Sequence, residues 1–435
     1  MFELDTKIDN REATISIVGL GYVGLPLALT FAKKGFNVIG FDINEEKVKQ
    51  LNECNDITGE NENDEIRKMV ESKLFITSDQ SKLGTDFIII CVPTPTDKNN
   101  MPDLSPIESS SLIVGNNMKR NSVIILESTV YPGVTEEIMK PILERESGFR
   151  CGENFSLAYS PERINPGDRK HTLENTVKVV GGYNKETTEL VSRLYASIIK
   201  AGIHNVDNIK TAEAVKIVEN VQRAVNISLV NELAIIFEKI GINTLDVLNA
   251  ARTKWNFHYY YPNAGVGGHC ISVDPYYLIE KSKEFGFEPK IISSSMAINE
   301  YMPRHIASVV LDYFRNKEEK RVMLLGLTYK ENVSDIRNSS SEKIARELSR
   351  NNVKVFGYDP FLGNEIVQKM GITPISPEDA KDMGCFLFLV AHDKLKTISY
   401  NDFKRMASEN AIIFDVKGVL DKEETEKNGL NYKTL

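Results

Sequence analysis

Short apolar, β-branched runs alternate with helix-period stretches through the first half of the chain. The runs are Thr14-Ile-Ser-Ile-Val18, Asn37-Val-Ile-Gly-Phe41, Phe87 to Val92, Val123 to Glu127 and Phe155 to Tyr159, with a helical pattern opening at Val23. Strands separated by helices predict βαβ units and a parallel sheet. The texture changes at Thr211, where a helical pattern without Pro or Gly runs to Lys239, ~45 Å at 1.5 Å per residue. It is apolar over much of its circumference, which predicts a spine buried between domains or against a second subunit, so a homodimer is expected. Alternation resumes after Arg321: Val322-Met-Leu-Leu-Gly-Leu-Thr-Tyr329 echoes Ile15-Ser-Ile-Val-Gly-Leu-Gly-Tyr22, and Val353 to Asp359 echoes Asn37 to Asp42. The expected fold is α/β, two Rossmann-like doubly wound parallel-sheet domains joined by a helical middle with a long spine helix, divided as residues 1–205, 206–315 and 316–435. The stretch from Asn52 to Asp64 reads as a polar loop.

Length and composition fit that picture. At 435 residues, 41% hydrophobic and 26% charged, the chain is long enough for two or three domains with their own cores. A net charge of -8 argues against a nucleic-acid or anionic-membrane surface, so any anionic ligand must be held locally. The five cysteines form no CxxC pair, and Cys91 and Cys385 lie in strand-like runs, as expected of reduced thiols in a cytoplasmic protein. The N-terminus lacks an apolar signal core, and no apolar run approaches the ~20 residues of a membrane span.

Candidate chemistry starts at Gly19-Leu-Gly21-Tyr22-Val23-Gly24, which follows a strand and opens a helix. Its glycines provide a tight turn, close backbone approach to phosphate and close helix packing. Asp42 ends the next strand, 18 residues after Gly24, where a carboxylate accepts ribose hydroxyls; no Arg follows it before Lys47, which favours NAD over NADP. Val92-Pro-Thr94-Pro and Glu127-Ser-Thr129-Val-Tyr-Pro-Gly133 follow strands and either bind ligand or are plain turns. The second copy of the strand–loop pattern carries Thr328 in place of Gly21, so it should bind something other than a pyrophosphate in that pose.

Lys216, Asn220 and Arg223 share one face of the spine, either a solvated stripe or a cleft-facing set in which Lys216 acts on a substrate hydroxyl. Cys270 lies in Gly265-Val-Gly267-Gly-His-Cys-Ile-Ser-Val-Asp274-Pro. A glycine-rich loop suits bringing amides and a thiol to a ligand better than packing a core. His269, and Lys216 if near, would lower the thiol's pKa, while Asp274 suits either proton transfer or an Asp-Pro turn. The six histidines show no ligand spacing, so no metal is expected. Arg163, Arg169, Arg252, Lys330, Arg337 and Lys417 are candidate cations for a diphosphate, each alternatively a surface charge.

Taken together these segments resemble the UDP-glucose/UDP-N-acetylhexosamine 6-dehydrogenase family from Ile15 to about Gly418, adding Ser-Pro-Glu-Arg163, Gly-Leu-Thr-Tyr329-Lys330, Asp335-Ile-Arg337 and Phe414-Asp-Val-Lys417-Gly418. The resemblance implies an NAD-binding first domain, a dimerising middle carrying the Cys loop, and a last domain for the UDP-sugar. It implies NAD contacts from the first glycine loop, Asp42, Lys47, Thr94, Thr129 and Arg337. UDP-sugar contacts would be Arg163, Ile164, Lys216, Asn220, Arg223, Gly267, Tyr329, Lys330 and Lys417. Cys270 would be the nucleophile, with Lys216, Asn220 and a water held by Asp274 handling protons and the oxyanion, and Glu162 and Thr129 assisting hydrolysis. Ser-Pro-Glu-Arg-Ile-Asn-Pro-Gly167, and Val273 where UDP-glucose members carry Lys, resemble the N-acetylhexosamine branch. Lys254-Trp-Asn-Phe257 and Arg163 to Asp168 resemble members acting on UDP-GlcNAc or UDP-GalNAc. The expected reaction is four-electron oxidation of UDP-GlcNAc to UDP-GlcNAcA through a Cys thiohemiacetal and thioester. Alternatives are UDP-ManNAc or UDP-GalNAc as substrate, a single-step hydroxyacid dehydrogenase, or a non-catalytic NAD-binding protein.

Overall fold

The computed structural model of the chain describes residues 2–56, 63–97, 101–164, 171–268 and 270–435. Its contacts divide into two compact units, Met1–Glu219 with Tyr276–Phe285, and Asn220–Pro275 with Gly286–Leu435.

The first unit is built on eight strands, β1 (Thr14–Val18), β2 (Asn37–Phe41), β3 (Leu74–Thr77), β4 (Phe87–Ile90), β5 (Val123–Leu126), β6 (Ser156–Tyr159), β7 (Lys178–Gly182) and β8 (Ile203–Asn205). Their order is β3-β2-β1-β4-β5-β6-β7-β8. Phe87–Ile90 and Val123–Leu126 are buried along their whole length, because helices cover both faces of a doubly wound sheet. The helix Gly24–Lys33 buries Leu25, Leu27, Ala28 and Phe31. The pairing is parallel except where β7 runs against β6, Tyr159 opposite Gly181. A parallel return needs a crossover. Among the described residues of that connection there is one short turn, Leu173–Asn175, where a crossover helix would be needed.

The second unit repeats the plan with β9 (Arg321–Leu325), β10 (Lys354–Tyr358), β11 (Thr373–Pro374), β12 (Met383–Phe388), β13 (Ala407–Asp415) and β14 (Asn431–Thr434). Their order, β11-β10-β9-β12-β13-β14, is that of the first six strands of the other sheet. Both sheets reverse direction beside their first strand, so each has a crevice at the carboxyl ends of its two central strands. The α/β class with two Rossmann-like sheets and a helical middle, expected from the sequence echo, is borne out.

Two expectations are corrected. The polar stretch from Asn52 to Asp64 is shorter than expected, since a helix Asn63–Val70 starts within it and buries Ile66; residues 57–62 lie outside the described residues. The spine helix spans Ile209–Ile240, slightly longer than expected at both ends. The Asn208 side chain accepts from the Thr211 N–H at 2.8 Å, and Gly241 closes the helix at φ +74°. One side of it is buried through Ala212, Ile217, Asn220, Ala224 and Asn231, but Val218, Leu229 and Ile240 stand more than half exposed.

Candidate active site

In the first unit the predicted residues gather at the carboxyl edge of the sheet. Gly19, Gly21 and Gly24 differ in what they are for. A Cβ at Gly19, whose φ is +94°, would stand 2.7 Å from the Cys91 carbonyl oxygen, and one at Gly24 would stand 1.8 Å from the Gly19 oxygen. At Gly21 a Cβ would meet nothing within 4 Å. The fold therefore needs the outer two, while the middle glycine leaves open space over the start of the helix Gly24–Lys33, where backbone N–H groups attract a phosphate. No side chain caps that helix at Val23, and Tyr22 is exposed. Asp42 is buried, and one of its oxygens accepts from Leu20 N–H at 2.9 Å and Lys47 Nζ at 2.7 Å. Leu20 lies in the glycine loop, so the carboxylate is fixed directly beside it.

Thr94 and Thr129 follow β4 and β5. Their loops are tied together by the Ser128 hydroxyl, which donates to the Val92 carbonyl at 2.7 Å, and the Tyr277 hydroxyl donates to the Thr94 carbonyl. The buried Glu213 carboxylate accepts from Gly133 N–H at 2.6 Å, Thr135 N–H at 2.9 Å and the Thr135 hydroxyl at 2.6 Å, fixing the end of the Thr129 loop. Burial pushes its pKa up to about 7.

Glu162 and Lys216 also meet here. Lys216 Nζ donates to the Glu162 carbonyl at 2.6 Å. One oxygen of the Glu162 carboxylate accepts from the N–H groups of Arg163 and Ile164, both at 2.6 Å. Its other oxygen lies 3.3 Å from Lys178 Nζ, which is itself 2.8 Å from Glu127. Burial opposes a charge on Lys178, but the two carboxylates outweigh it and raise its pKa, whereas burial raises that of Glu127. Arg163 donates to the Val177 carbonyl and pairs with Glu219, each at 2.7 Å.

The second unit holds the thiol. Cys270 is partly exposed, and its carbonyl accepts from the N–H groups of Val273 at 3.0 Å and Asp274 at 2.8 Å, the latter opening the helix Asp274–Glu284. Asp274 is buried and accepts from the Asn220 side-chain amide, whose oxygen accepts from Arg223. The loop glycines are more structural than expected: a Cβ at Gly267 or Gly268 would run into Tyr329 at 2.7 and 2.8 Å, and one at Gly265 would approach the Asn299 carbonyl at 2.4 Å. Tyr329 is thus packed under the thiol loop. Gly268 is held by N–H donation to the Arg337 carbonyl at 2.9 Å and by Asn338 on its own carbonyl at 2.9 Å. Arg337 is paired with Asp335, and Lys417 with Glu331 at 3.5 Å; Lys330 is half-buried, its carbonyl accepting from Thr328. Arg252 stacks over Tyr259 at 5.2 Å. His269, Arg169 and the segment 165–168 lie outside the described residues.

At the place equivalent to Gly21, the buried Thr328 hydroxyl donates to the Lys330 carbonyl at 2.9 Å and lies 3.1 Å from His392 Nε2. Asp359, at the place of Asp42, accepts from Leu327 N–H at 2.7 Å and Thr328 N–H at 3.2 Å and faces His392 at 2.9 Å. Burial works against its charge, but His392 and the N–H groups of Leu327 and Phe361 outweigh it and hold its pKa low.

Sequence reasoning missed Lys178, Glu213 and His392. Lys178 lies in the run Thr-Val-Lys-Val-Val, and Glu213 on an apolar face of the spine. A charge set inside an apolar run was the available signal, since buried charges are paired.

Two sheets of one strand order, with an open glycine loop in one and a filled loop in the other, define a two-Rossmann nucleotide-dependent enzyme. Residues 13–199, 210–301 and 323–422 match in turn the NAD binding domain, central domain and UDP binding domain of the UDP-glucose/GDP-mannose dehydrogenase family. The chain belongs to that family and is an NAD-dependent dehydrogenase. It is 44% identical over 417 residues to Protein CapL of Staphylococcus aureus, covering 94% of this chain and 97% of that one. It is 41% identical over 422 residues to the UDP-N-acetyl-D-glucosamine 6-dehydrogenase of Pseudomonas aeruginosa, covering 96% and 99%. Among solved structures, the UDP-D-ManNAc dehydrogenase of Pyrococcus horikoshii matches with a TM-score of 0.88 at 31% identity, covering 97% and 98%. Among the described residues no helix is long and apolar enough to cross a membrane.

Proposed function

We propose that the chain oxidises the C6 hydroxyl of UDP-GlcNAc to the carboxylate, passing two hydrides to two NAD molecules. The first hydride leaves C6 as the hydroxyl proton is lost, giving an aldehyde. The Cys270 sulfur adds to it as a thiohemiacetal, a second hydride leaves to give a thioester, and water releases the acid and the thiol. The observation that carries the chemistry is the thiol loop: Cys270 sits at the start of a helix beside the buried Asp274–Asn220 pair, with Tyr329 packed under the glycines. Asp274 would hold water, Lys216 and Asn220 would meet the oxyanion and protons, and Glu162 and Thr129 would serve the hydrolysis.

NAD contacts are assigned to Gly19, Gly21, Tyr22, Val23, Gly24, Asp42, Lys47, Thr94, Thr129 and Arg337. Contacts to the sugar nucleotide are assigned to Arg163, Ile164, Lys216, Asn220, Arg223, Gly267, Tyr329, Lys330 and Lys417. The Pseudomonas relative, matched over nearly its whole length, favours UDP-GlcNAc. The Pyrococcus structure keeps UDP-ManNAc as the second reading. The exposed apolar residues of the spine support a homodimer, and we assign the enzyme to the cytoplasm, dividing it at 1–205, 206–315 and 316–435.

Excess NAD with limiting UDP-GlcNAc tests this by counting NADH per sugar. Two NADH support the thioester route; one sinks the role given to Cys270. None with UDP-GlcNAc but two with an epimer keeps the mechanism and changes the substrate.

A further inference from the structure

We propose that Lys178 is a positioning residue for the reaction: it pins the Glu162 carboxylate, and through it the turn Glu162–Ile164, whose carbonyl receives the Lys216 ammonium. This rests on the reading that Lys216 acts on the substrate. Lys178 begins β7, is 2% exposed, and places its ammonium between Glu127 and Glu162 at 2.8 and 3.3 Å. Glu127 is held on its far side by the Tyr195 hydroxyl, and Lys178 lies 5.1 Å from the Tyr195 ring. Nothing in this group is free to turn away.

The constraint passes along the chain in four steps. The ammonium holds one oxygen of Glu162, and the other oxygen takes the N–H groups of Arg163 and Ile164 at 2.6 Å. That closes the turn and aims the Glu162 carbonyl, which accepts Lys216 Nζ at 2.6 Å. Arg163 secures the same turn to the carbonyl of Val177, next to Lys178 in the chain. Stability is a poor reason for burying this cluster, because apolar residues of equal volume usually stabilise at least as well as a buried ion pair. Placing a catalytic ammonium is a better one, since a misplacement of about 1 Å costs on the order of 100-fold in rate.

The test compares the wild type with Lys178→Gln and with the double variant Lys178→Met/Glu127→Gln, which preserves the net charge of the buried group. Each is measured as kcat per folded molecule, KM for UDP-GlcNAc and Kd for NAD, with Lys216→Ala alongside. The expected result is kcat lower by about 10- to 100-fold in both Lys178 variants, with a smaller rise in KM for UDP-GlcNAc through Arg163 and Ile164 on the same turn, and Kd for NAD within about threefold. Wild-type kcat in the folded double variant would overturn the proposal. If the double variant does not fold, Lys178→Gln decides alone, and wild-type kcat in it overturns the proposal. If Lys216→Ala keeps wild-type kcat, it is the assignment of Lys216 that fails; if it is inactive while the Lys178 variants are normal, only the present proposal fails.

Discussion

At the scale of single residues, the glycine loop separates what the fold needs from what a ligand needs. Gly21→Ala adds a methyl where nothing lies within 4 Å, so unfolding stability should stay within about 0.5 kcal/mol of wild type. The same methyl enters the space assigned to the pyrophosphate, so the Kd for NAD should rise by about tenfold or more, ~1.4 kcal/mol, in a fluorescence titration. An unchanged Kd would remove the coenzyme from this loop. Cys270→Ser should lose steady-state NADH formation on the order of 10³-fold while binding NAD normally, because a hydroxyl is a far poorer nucleophile than a thiolate. The sequence marked these residues because glycine spacing, a strand-end carboxylate and a glycine-flanked cysteine are local patterns. It did not mark Lys178 or Glu213, whose partners Glu127, Glu162 and Thr135 are brought to them only by the fold. Nor did it tell that the glycines before Cys270 make room for Tyr329, a residue about 60 positions away.

At the scale of elements, the strands that are compact apolar runs were legible, β1, β2, β4, β5 and β6 in the first sheet and β9, β10 and β12 in the second, and so was the spine helix, because nothing interrupts it. β7 was not, since a lysine opens it and two glycines close it, and its direction was hidden with it. The exposure of the spine was also hidden, because an apolar circumference does not say which side finds a partner. If a second subunit covers it, Leu229→Glu, at a position 52% exposed, should convert a dimer to monomers in sedimentation without loss of helical signal. The end of the spine carries its own ionic clamp: Glu238 reaches His305 at 3.0 Å and Lys433 at 2.7 Å. The nearby His305 imidazole, ahead of Lys433, holds its pKa down to about 2. A folded value below the unfolded one means stability that is present above about pH 4.5 and lost as pH falls towards 2. Glu238→Gln should therefore lower the unfolding free energy at pH 7 by about 1 kcal/mol, discounted for solvent screening, with the gap narrowing as urea titrations move below pH 4.5. A gap constant down to pH 3 would contradict the clamp.

At the scale of the whole molecule, one strand order occurs twice in a single chain, and the echo between Ile15–Tyr22 and Val322–Tyr329 shows it in the sequence. What the echo could not convey is how thoroughly the second copy has been closed. Thr328 fills the place of the open glycine, while Asp359 takes loop amides much as Asp42 does but faces the buried His392 where Asp42 meets Lys47. An enzyme that must work in excess coenzyme while keeping a second nucleotide site on the same fold faces competition from its own oxidant. A vacant glycine in the second copy would let NAD occupy the seat meant for the sugar nucleotide, and the enzyme would slow as the coenzyme pool grew. With a buried threonine in that place, rising NAD should saturate the rate without inhibiting it.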